Sequence, residues 1–250
     1  MIKVLGFCAS PRLGNSLYLL DQALEAAQAA ADRLGEEIQI DRATVRGKKL
    51  AGCVMCQSCM KDGVCIIKDD FTPMQEQWLA ADVILYSVPV YHMGMPAQMK
   101  AFIDRLGNCM FGRYKQVFGP DMVTTPKPLK VVGCIAQGIH TVSGQESTII
   151  QVVNHALING CIPVTGDMWE SYIGAGGWTL NEEGRDALKK LYDQGQEDAR
   201  VAVESSRSLA TRAFEIALLI RNGALNSPKV LNQSTYVALA ERIGKGQAAV

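Results

Sequence analysis

The chain has 250 residues, of which 48% are hydrophobic and 20% are charged, and its formal net charge is +0 at pH 7. These values place it among ordinary globular proteins that bury a core. The balanced charge gives no sign of a nucleic-acid or acidic-membrane partner, so a small or roughly neutral partner is expected.

The first residues, MIKVLGFCAS, form a short apolar run. This run is too short to cross a membrane, and no basic segment precedes it. We therefore expect a cytoplasmic chain with no membrane partner. The eight cysteines are poor candidates for disulfides in a reducing cytosol, where clustered cysteines more often bind metal or take part in catalysis.

Strand-like and helix-like segments alternate along the first two thirds of the chain. The predicted strands are residues 2–8, 37–45, 82–90, 129–137 and 162–169, and the predicted helices are residues 16–35, 71–81, 96–107 and 145–160. Such alternation implies one parallel sheet with helices on both faces. We interpret it as an α/β, doubly wound, five-stranded flavodoxin-like sheet of strand order 2-1-3-4-5.

The pattern changes near Asn181, where a charged and helical segment without another strand begins. We predict a sheet domain over residues 1–180 and a C-terminal helical extension over residues 181–250. The stretch AFEIALLIRNG is too apolar to face water on all sides, so it is expected to pack on the sheet domain or on another subunit. A cysteine-rich loop over residues 52–66 is inserted into the sheet domain.

The loop after the first strand, CASPRLGNS, leads directly into a helix. In open α/β sheets the ligand binds beyond the carboxyl ends of the strands. The free N–H groups and the dipole of a helix N-terminus favour an anion there. The loop therefore predicts a phosphate site, although capping of the helix by Asn15 or Ser16 explains the loop alone equally well. The candidate residues are Ser10, Arg12, Gly14, Asn15 and Ser16.

Two further loops end at the same edge of the predicted sheet. The loop after the third strand offers backbone amides and an amphipathic face that suit a flat isoalloxazine ring. The loop after the fourth strand has small residues that let the backbone approach a bound ring. The candidates are Pro89, Val90, Tyr91, His92, Met93 and Gly94 in the first of these loops, and Gly138, Ser143 and Gly144 in the second.

Taken together, the three loops resemble the NADPH-dependent FMN reductase branch of the flavodoxin-like superfamily, over roughly residues 1–175. The resemblance implies FMN as cofactor, with its phosphate in the first loop and its ring beside the second. It also implies NAD(P)H as a possible electron donor. No side chain need act as an acid or a base in this interpretation.

The stretch CVMCQSCMKDGVC carries four cysteines, Cys53, Cys56, Cys59 and Cys65. Structural zinc sites normally pair two C-x-x-C hooks across a longer span, and no second hook is present. Three thiolates at successive third positions, with Cys65 as a fourth ligand, suit a 4Fe-4S cluster instead. Thiols without a cluster and a zinc site remain the alternatives. The other cysteines, Cys8, Cys109, Cys134 and Cys161, are expected to be small buried hydrophobic residues.

This spacing, inserted in an FMN domain, resembles the iron–sulfur flavoproteins of anaerobic microbes. The resemblance implies one FMN and one 4Fe-4S cluster per subunit, and a homodimer or homotetramer in which electrons commonly cross a subunit contact. We expect a flavin-dependent oxidoreductase that passes electrons between the cluster and FMN. Its partners would be NAD(P)H or a ferredoxin-like carrier and a small acceptor.

Two other functions stay open at this point. One is a cluster-free NAD(P)H-dependent reductase of FMN, quinones or nitro compounds. The other is a non-catalytic docking protein with a structural zinc staple in the cysteine loop.

Overall fold

The computed structural model describes residues 1–118 and 124–244. Its centre is a parallel sheet with the strand order β2-β1-β3-β4-β5, in which β6 also pairs with β4, and this order confirms the predicted flavodoxin-like fold. β3 and β4 are buried along their whole length, as expected of central strands covered on both faces. The strands are β1 (Ile2–Cys8), β2 (Ile38–Thr44), β3 (Val83–Pro89), β4 (Val131–Gln137), β5 (Ile162–Pro163) and β6 (Ala175–Gly177).

The fifth position of the sheet is filled by two short strands instead of one. β5 pairs with the start of β4, and β6 pairs with its end. The prediction of one strand over residues 162–169 is therefore wrong in this detail. The backbone N–H of Gly166 donates to the carbonyl oxygen of Ser171 (2.9 Å) and not to β4, so the chain leaves the sheet before it returns as β6.

Helices cover both faces of the sheet. One face carries α1 (Asn15–Leu34) and α6 (Glu197–Leu225), and the other carries α2 (Phe71–Ala80), α3 (Ala97–Arg113) and α4 (Gln145–Ile158). Short helices α5 (Ala187–Asp193), α7 (Pro228–Leu231) and α8 (Val237–Arg242) complete the described chain. In the residues that the structure describes, no helix is long and apolar enough to cross a membrane.

The long helix α6 lies within the predicted C-terminal extension and packs on the sheet domain. Its buried residues Ala202, Val203 and Leu209 belong to the same core cluster as Leu19 and Leu24 of α1. Burial of this apolar stripe explains why α6 is stable in water. The boundary at residue 180 stays a prediction, and residues 245–250 of the extension lie outside the described residues.

His155 of α4 is buried, and its ring lies near the rings of Tyr86 in β3 and Trp78 in α2. Its Nε2 lies 3.3 Å from the hydroxyl of Tyr86, which accepts a hydrogen bond from the indole N–H of Trp78 (2.8 Å). The side-chain nitrogen of Asn159 lies 3.1 Å from the other ring nitrogen. Burial lowers the pKa of His155 to about 4, because the charged ring would lose its hydration.

This buried histidine predicts a pH-dependent stability. The unfolded chain takes up a proton below pH 6.5, whereas folded His155 resists protonation until about pH 4. Stability present above pH 6.5 is therefore lost as the pH falls toward 4, by about 3 kcal/mol from this residue. Urea unfolding of the wild type and of His155→Gln at both pH values measures the difference. Equal pH slopes in the two proteins would contradict the assignment.

Candidate functional site

Three loops meet at the carboxyl ends of β1, β3 and β4 and enclose a cavity of about 150 Å³, the flavin-site cavity. Residues from all three sequence-predicted loops contribute to it. Gln137 and Ile139 also line it and were missed, because the sequence pattern placed Gln137 within a strand and gave no signal at Ile139. The predicted residues at this cavity are Ser10, Arg12, Gly14, Asn15, Ser16, Pro89, Val90, Tyr91 and Gly138.

The β1–α1 loop presents the N-terminus of α1 to this cavity. The Ser10 hydroxyl donates to the carbonyl oxygen of Arg12 (2.8 Å) and accepts from its N–H (3.3 Å), which holds the loop in a tight turn. Among the described residues no side chain caps α1. The first N–H groups of a 20-residue helix are thus available to an anion, beside the exposed guanidinium of Arg12.

The sequence suggested that the Asn15 side chain binds phosphate or caps α1, but in the structure it bonds to another segment of the chain. Its amide nitrogen donates to the carbonyl oxygen of Gly184 (3.0 Å), and its amide oxygen accepts from the N–H of Leu188 (3.0 Å). Asn15 therefore fastens the segment that begins α5 to the start of α1. The backbone N–H of Asn15 is its remaining donor for a ligand.

The β3–α3 loop is a tight turn with an unusual backbone. His92 and Met93 both have positive φ, 47° and 64°. Tyr91 and Gly94 exchange backbone hydrogen bonds of 2.8 and 3.0 Å across them. Two residues with positive φ in such a turn correspond to type I′, which Asn and Gly normally occupy. Residues other than glycine that have a positive φ are strained in their backbone, and such strain is concentrated at ligand sites.

The β4–α4 loop touches this turn directly. Gly144 has φ 101°, and a Cβ there would lie 2.6 Å from the Cα of Met93, so only glycine fits. Met93 and Gly144 line a second, neighbouring cavity of about 510 Å³, together with Glu146, Glu170 and Trp178. The remaining predicted residues, His92, Gly94 and Ser143, line neither of these two cavities.

The four cysteines of the loop over residues 52–66 line one cavity of about 370 Å³, the cysteine cavity. Cys53 and Cys56 are exposed, whereas Cys65 is buried. Their sulfur atoms accept hydrogen bonds. The Met55 N–H donates to Cys53 Sγ (3.4 Å), and Arg105 Nη2 donates to Cys65 Sγ (3.3 Å).

The opposite wall of the cysteine cavity is formed by α3, through Arg105, Asn108 and Cys109. The Asn108 amide approaches Cys53 Sγ at 3.8 Å. The Cys109 thiol hydrogen-bonds with Cys59, and burial raises its pKa. Sequence reasoning treated Cys109 as a packing residue only. It is buried as predicted, but its helical spacing with Arg105 and Asn108 was the missed signal.

Residues 2–167 match the model of the NADPH-dependent FMN reductase family. The chain belongs to this family. It is also similar to an iron–sulfur flavoprotein of Archaeoglobus fulgidus, with 33% identity over 195 residues that cover 75% of this chain and 92% of that protein. An iron–sulfur flavoprotein of Methanosarcina thermophila is 31% identical over 183 residues, covering 73% and 85%.

These matches confirm the predicted membership of the iron–sulfur flavoprotein branch of the FMN reductase family. Among solved structures, an azoreductase from Bacillus anthracis str. Sterne superposes with a TM-score of 0.58 at 15% identity, covering 85% of this chain and all of that one, so the two share the fold. As a member of this family, the chain is a flavin-dependent oxidoreductase.

In this FMN reductase α3 lines the cysteine cavity but not the flavin-site cavity. Arg105, Asn108 and Cys109 lie eight to twelve residues after the start of the helix at Ala97, which is about 12–18 Å along the helix axis. In the part of the chain that the structure describes, no residue lines both cavities. The cysteine loop and the three loops of the flavin-site cavity therefore line separate cavities.

The cysteine loop rests directly on α3 at Gly112. A Cβ at this position would overlap the carbonyl oxygen of Cys59 and lie 2.8 Å from its carbonyl carbon and 2.9 Å from the Cα of Met60. These are backbone atoms, so the loop itself would have to shift. Gly112 is therefore required for the close approach of the loop to the helix.

Gly112→Ala should destabilise the protein by about 1–3 kcal/mol, because the overlap outweighs the better helix propensity of alanine. Gly107→Ala in the same helix is the matched control, since the nearest atom to its Cβ would be 3.8 Å away. It should be neutral or stabilising by up to about 1 kcal/mol. Urea unfolding measures both variants, and equal effects would contradict the contact.

Proposed function

We propose that this chain is an iron–sulfur flavoprotein that passes electrons between FMN and a 4Fe-4S cluster held by Cys53, Cys56, Cys59 and Cys65. The observation that carries the proposal is that these four cysteines line one cavity whose walls supply hydrogen-bond donors to the sulfurs. Thiolates accept such bonds, which also help to set the potential of a cluster.

The donor set fits a cluster better than a single ion. In the described ranges, no group of three or more Cys, His, Asp or Glu side chains is gathered closely enough for one metal ion. A zinc staple requires four ligands about 2.3 Å from one point. Four sulfurs around a cavity of about 370 Å³ leave room for a larger inorganic group.

The flavin-site cavity supports FMN as the second centre. Ser10, Arg12 and the N-terminus of α1 would hold the phosphate, and the strained turn at His92 and Met93 would border the ring. When bound, FMN exchanges two electrons as hydride or one at a time, whereas a 4Fe-4S cluster exchanges single electrons. The chain itself contributes binding, orientation and electrostatics, and no side chain is assigned as an acid or base.

The electron partners in this proposal are NAD(P)H or a ferredoxin-like carrier on one side and a small molecule on the other. The description of the family as NADPH-dependent supports the former. The neighbouring cavity of about 510 Å³, with the side chains of Tyr172 and Trp178 in its wall, supports a flat acceptor close to the ring. A cytoplasmic location is part of the same proposal.

A homodimer or homotetramer would bring the cysteine cavity of one subunit close to the flavin-site cavity of another. Within one chain, the described residues that line one cavity do not line the other. Large apolar side chains are exposed at the cysteine cavity, namely Val54 (69%) and Met55 (63%), and in the strained turn that follows Tyr91, namely Met93 (55%). Contact between these surfaces of two copies would bury them and shorten the path.

One structural feature favours a second candidate, a cluster-free NAD(P)H-dependent reductase of FMN, quinones or nitro compounds. The flavin-site cavity is lined entirely by residues outside the cysteine loop. Flavin binding and reduction therefore need no contribution from the four cysteines.

The deciding experiment is purification without air, followed by an absorption spectrum and assays of iron, acid-labile sulfide and flavin on one sample. About four irons and one FMN per chain, with a broad absorption bleached by reductant, are expected for a cluster with four thiolate ligands. FMN without iron after anaerobic reconstitution would instead identify the cluster-free reductase. Stoichiometric zinc without flavin would contradict both.

A further inference from the structure

Arg105 of α3 is a buried cation whose guanidinium bonds to both ends of the cysteine loop. Its side chain is 1% exposed. Nη1 donates to the carbonyl oxygen of Ala51 (3.2 Å), before the loop. Nη2 donates to the carbonyl oxygen of Ile67 (3.2 Å), after it, and to Cys65 Sγ (3.3 Å) within it.

The charge of Arg105 is balanced by Asp69. Nη1 donates to Asp69 Oδ2 at 2.6 Å, and the same carboxylate oxygen accepts from the N–H of Ala51 at 2.8 Å. The guanidinium carbon also lies 4.2 Å from the centroid of the Phe71 ring. The ion pair between Arg105 and Asp69 therefore connects three parts of the chain by hydrogen bonds, namely α3 and the two ends of the cysteine loop.

Among the described residues, few other side chains tie the loop to the rest of the fold, and one of them is the Cys109 thiol, which hydrogen-bonds with Cys59. Gln75 donates to the carbonyl oxygen of Gly63 (3.2 Å), Lys115 donates to that of Lys61 (2.6 Å), and Asn108 approaches Cys53. None of these side chains binds the loop at both ends. A planar guanidinium presents several donors in fixed directions, which a lysine ammonium on a flexible stem does not reproduce.

Arg105 also carries a positive charge next to Cys65, and both side chains are buried. Interactions between charges are stronger there than in bulk water, and hydrogen bonds to the sulfurs shift the potential of a cluster. A nearby cation favours the more negative, reduced state. Loss of that cation should make reduction harder.

We propose that Arg105 is the positioning residue of the cysteine site: it closes the loop onto α3 before any cluster is present, and its charge makes a bound cluster easier to reduce. The first half concerns the chain alone. The second half rests on the proposed function, since it requires that a cluster is assembled.

The test compares Arg105→Met and Arg105→Lys with the wild type and with Arg242→Met. Arg242 is the matched control, because it is also buried and paired with an aspartate, Asp82 (2.7 Å), but lies away from the cysteine cavity. Amide hydrogen exchange over residues 51–67 of the cluster-free protein reports loop closure. The midpoint potential of the reconstituted protein reports the charge effect, and bound FMN reports folding.

Arg105→Met should raise exchange in the loop at least about tenfold and lower the potential by about 59 mV, a tenfold change for one electron. Arg105→Lys should raise exchange in the loop in the same way, because a lysine ammonium cannot bond to both ends of the loop. Since it keeps the positive charge, its midpoint potential should stay closer to that of the wild type. Arg242→Met should change neither quantity. If Arg105→Met binds too little FMN to be judged folded, hydrogen exchange in Arg105→Lys decides whether Arg105 closes the loop onto α3.

Wild-type exchange in both Arg105 variants would overturn the positioning role, and an unchanged potential in Arg105→Met would overturn the charge effect. A wild type that assembles no iron would defeat the proposed function and, with it, the second half of the inference. Hydrogen exchange in the cluster-free protein would still decide the first half. The two failures are therefore distinguishable.

Discussion

A Cys56→Ala variant is expected to keep its FMN and to lose most of its iron, retaining about a tenth or less, because a 4Fe-4S cluster needs four protein ligands. Cys56 is exposed, and hydrogen bonds from the backbone N–H and the hydroxyl of Ser58 lower the pKa of its thiol. It is therefore prepared to act as a thiolate ligand. Iron, acid-labile sulfide and flavin assays on anaerobically reconstituted protein measure the effect.

The cysteine cavity contains a fifth thiol, that of Cys109, which could in principle replace Cys56 as a ligand. Cys109 lies in the α3 wall of the same cavity, but burial raises the pKa of its thiol, so it is a poor replacement ligand. Cys161→Ala is the control, since this buried cysteine does not line the cysteine cavity. Full iron in the Cys56 variant would show that the ligand assignment is wrong, and iron loss in the control would point to general instability.

The meeting of three loops at one cavity could be predicted from the sequence because it follows from topology. Parallel strands bring their carboxyl ends to the same edge of a sheet, so apolar runs ending at Cys8, Pro89 and Gln137 locate the flavin-site cavity. The four loop cysteines could be predicted as a set because they are adjacent in the chain. Both features are local patterns combined with one general rule.

The residues that the sequence did not reveal act through tertiary contacts. Arg105 meets Ala51, Cys65 and Asp69 only after α3 has packed on the cysteine loop. Asn15 meets Leu188 across most of the chain. Neither contact has a periodicity or spacing of its own, and the identity of a polar partner is decided by packing that hydrophobic patterns do not specify.

The position of the cysteine loop relative to the flavin was also beyond the sequence. The loop follows β2 in the chain, yet Cys59 and Met60 contact α3 at Gly112, close to the C-terminal end of that helix. This contact between distant segments has no signal in the sequence. Under the proposed function, contact between copies would bring the cluster of one subunit close to the flavin of another, so a measurement of oligomeric state also tests the proposed electron path.

Arg12→Ala is expected to weaken FMN binding by about 10- to 100-fold, because a hydrogen bond to a charged group contributes about 1.5–3 kcal/mol. Among the residues that the structure describes, Arg12 is the one charged side chain in the wall of the flavin-site cavity, so it is the side-chain cation expected to meet the phosphate. The Kd for FMN, measured by flavin fluorescence at low and at high salt, tests this. The wild type should lose more affinity with salt than the variant, since salt screens the guanidinium–phosphate attraction.

The control for Arg12→Ala is Arg33→Ala, at the opposite end of the same helix. Arg33 pairs with Glu215 at 2.7 Å and is far from the loop that begins α1. Its loss removes an equal charge without touching the cavity, so FMN affinity should stay unchanged. If Arg12→Ala also leaves affinity and salt dependence unchanged, the phosphate is held by the N–H groups and dipole of α1 alone, and Arg12 is a solvated surface residue.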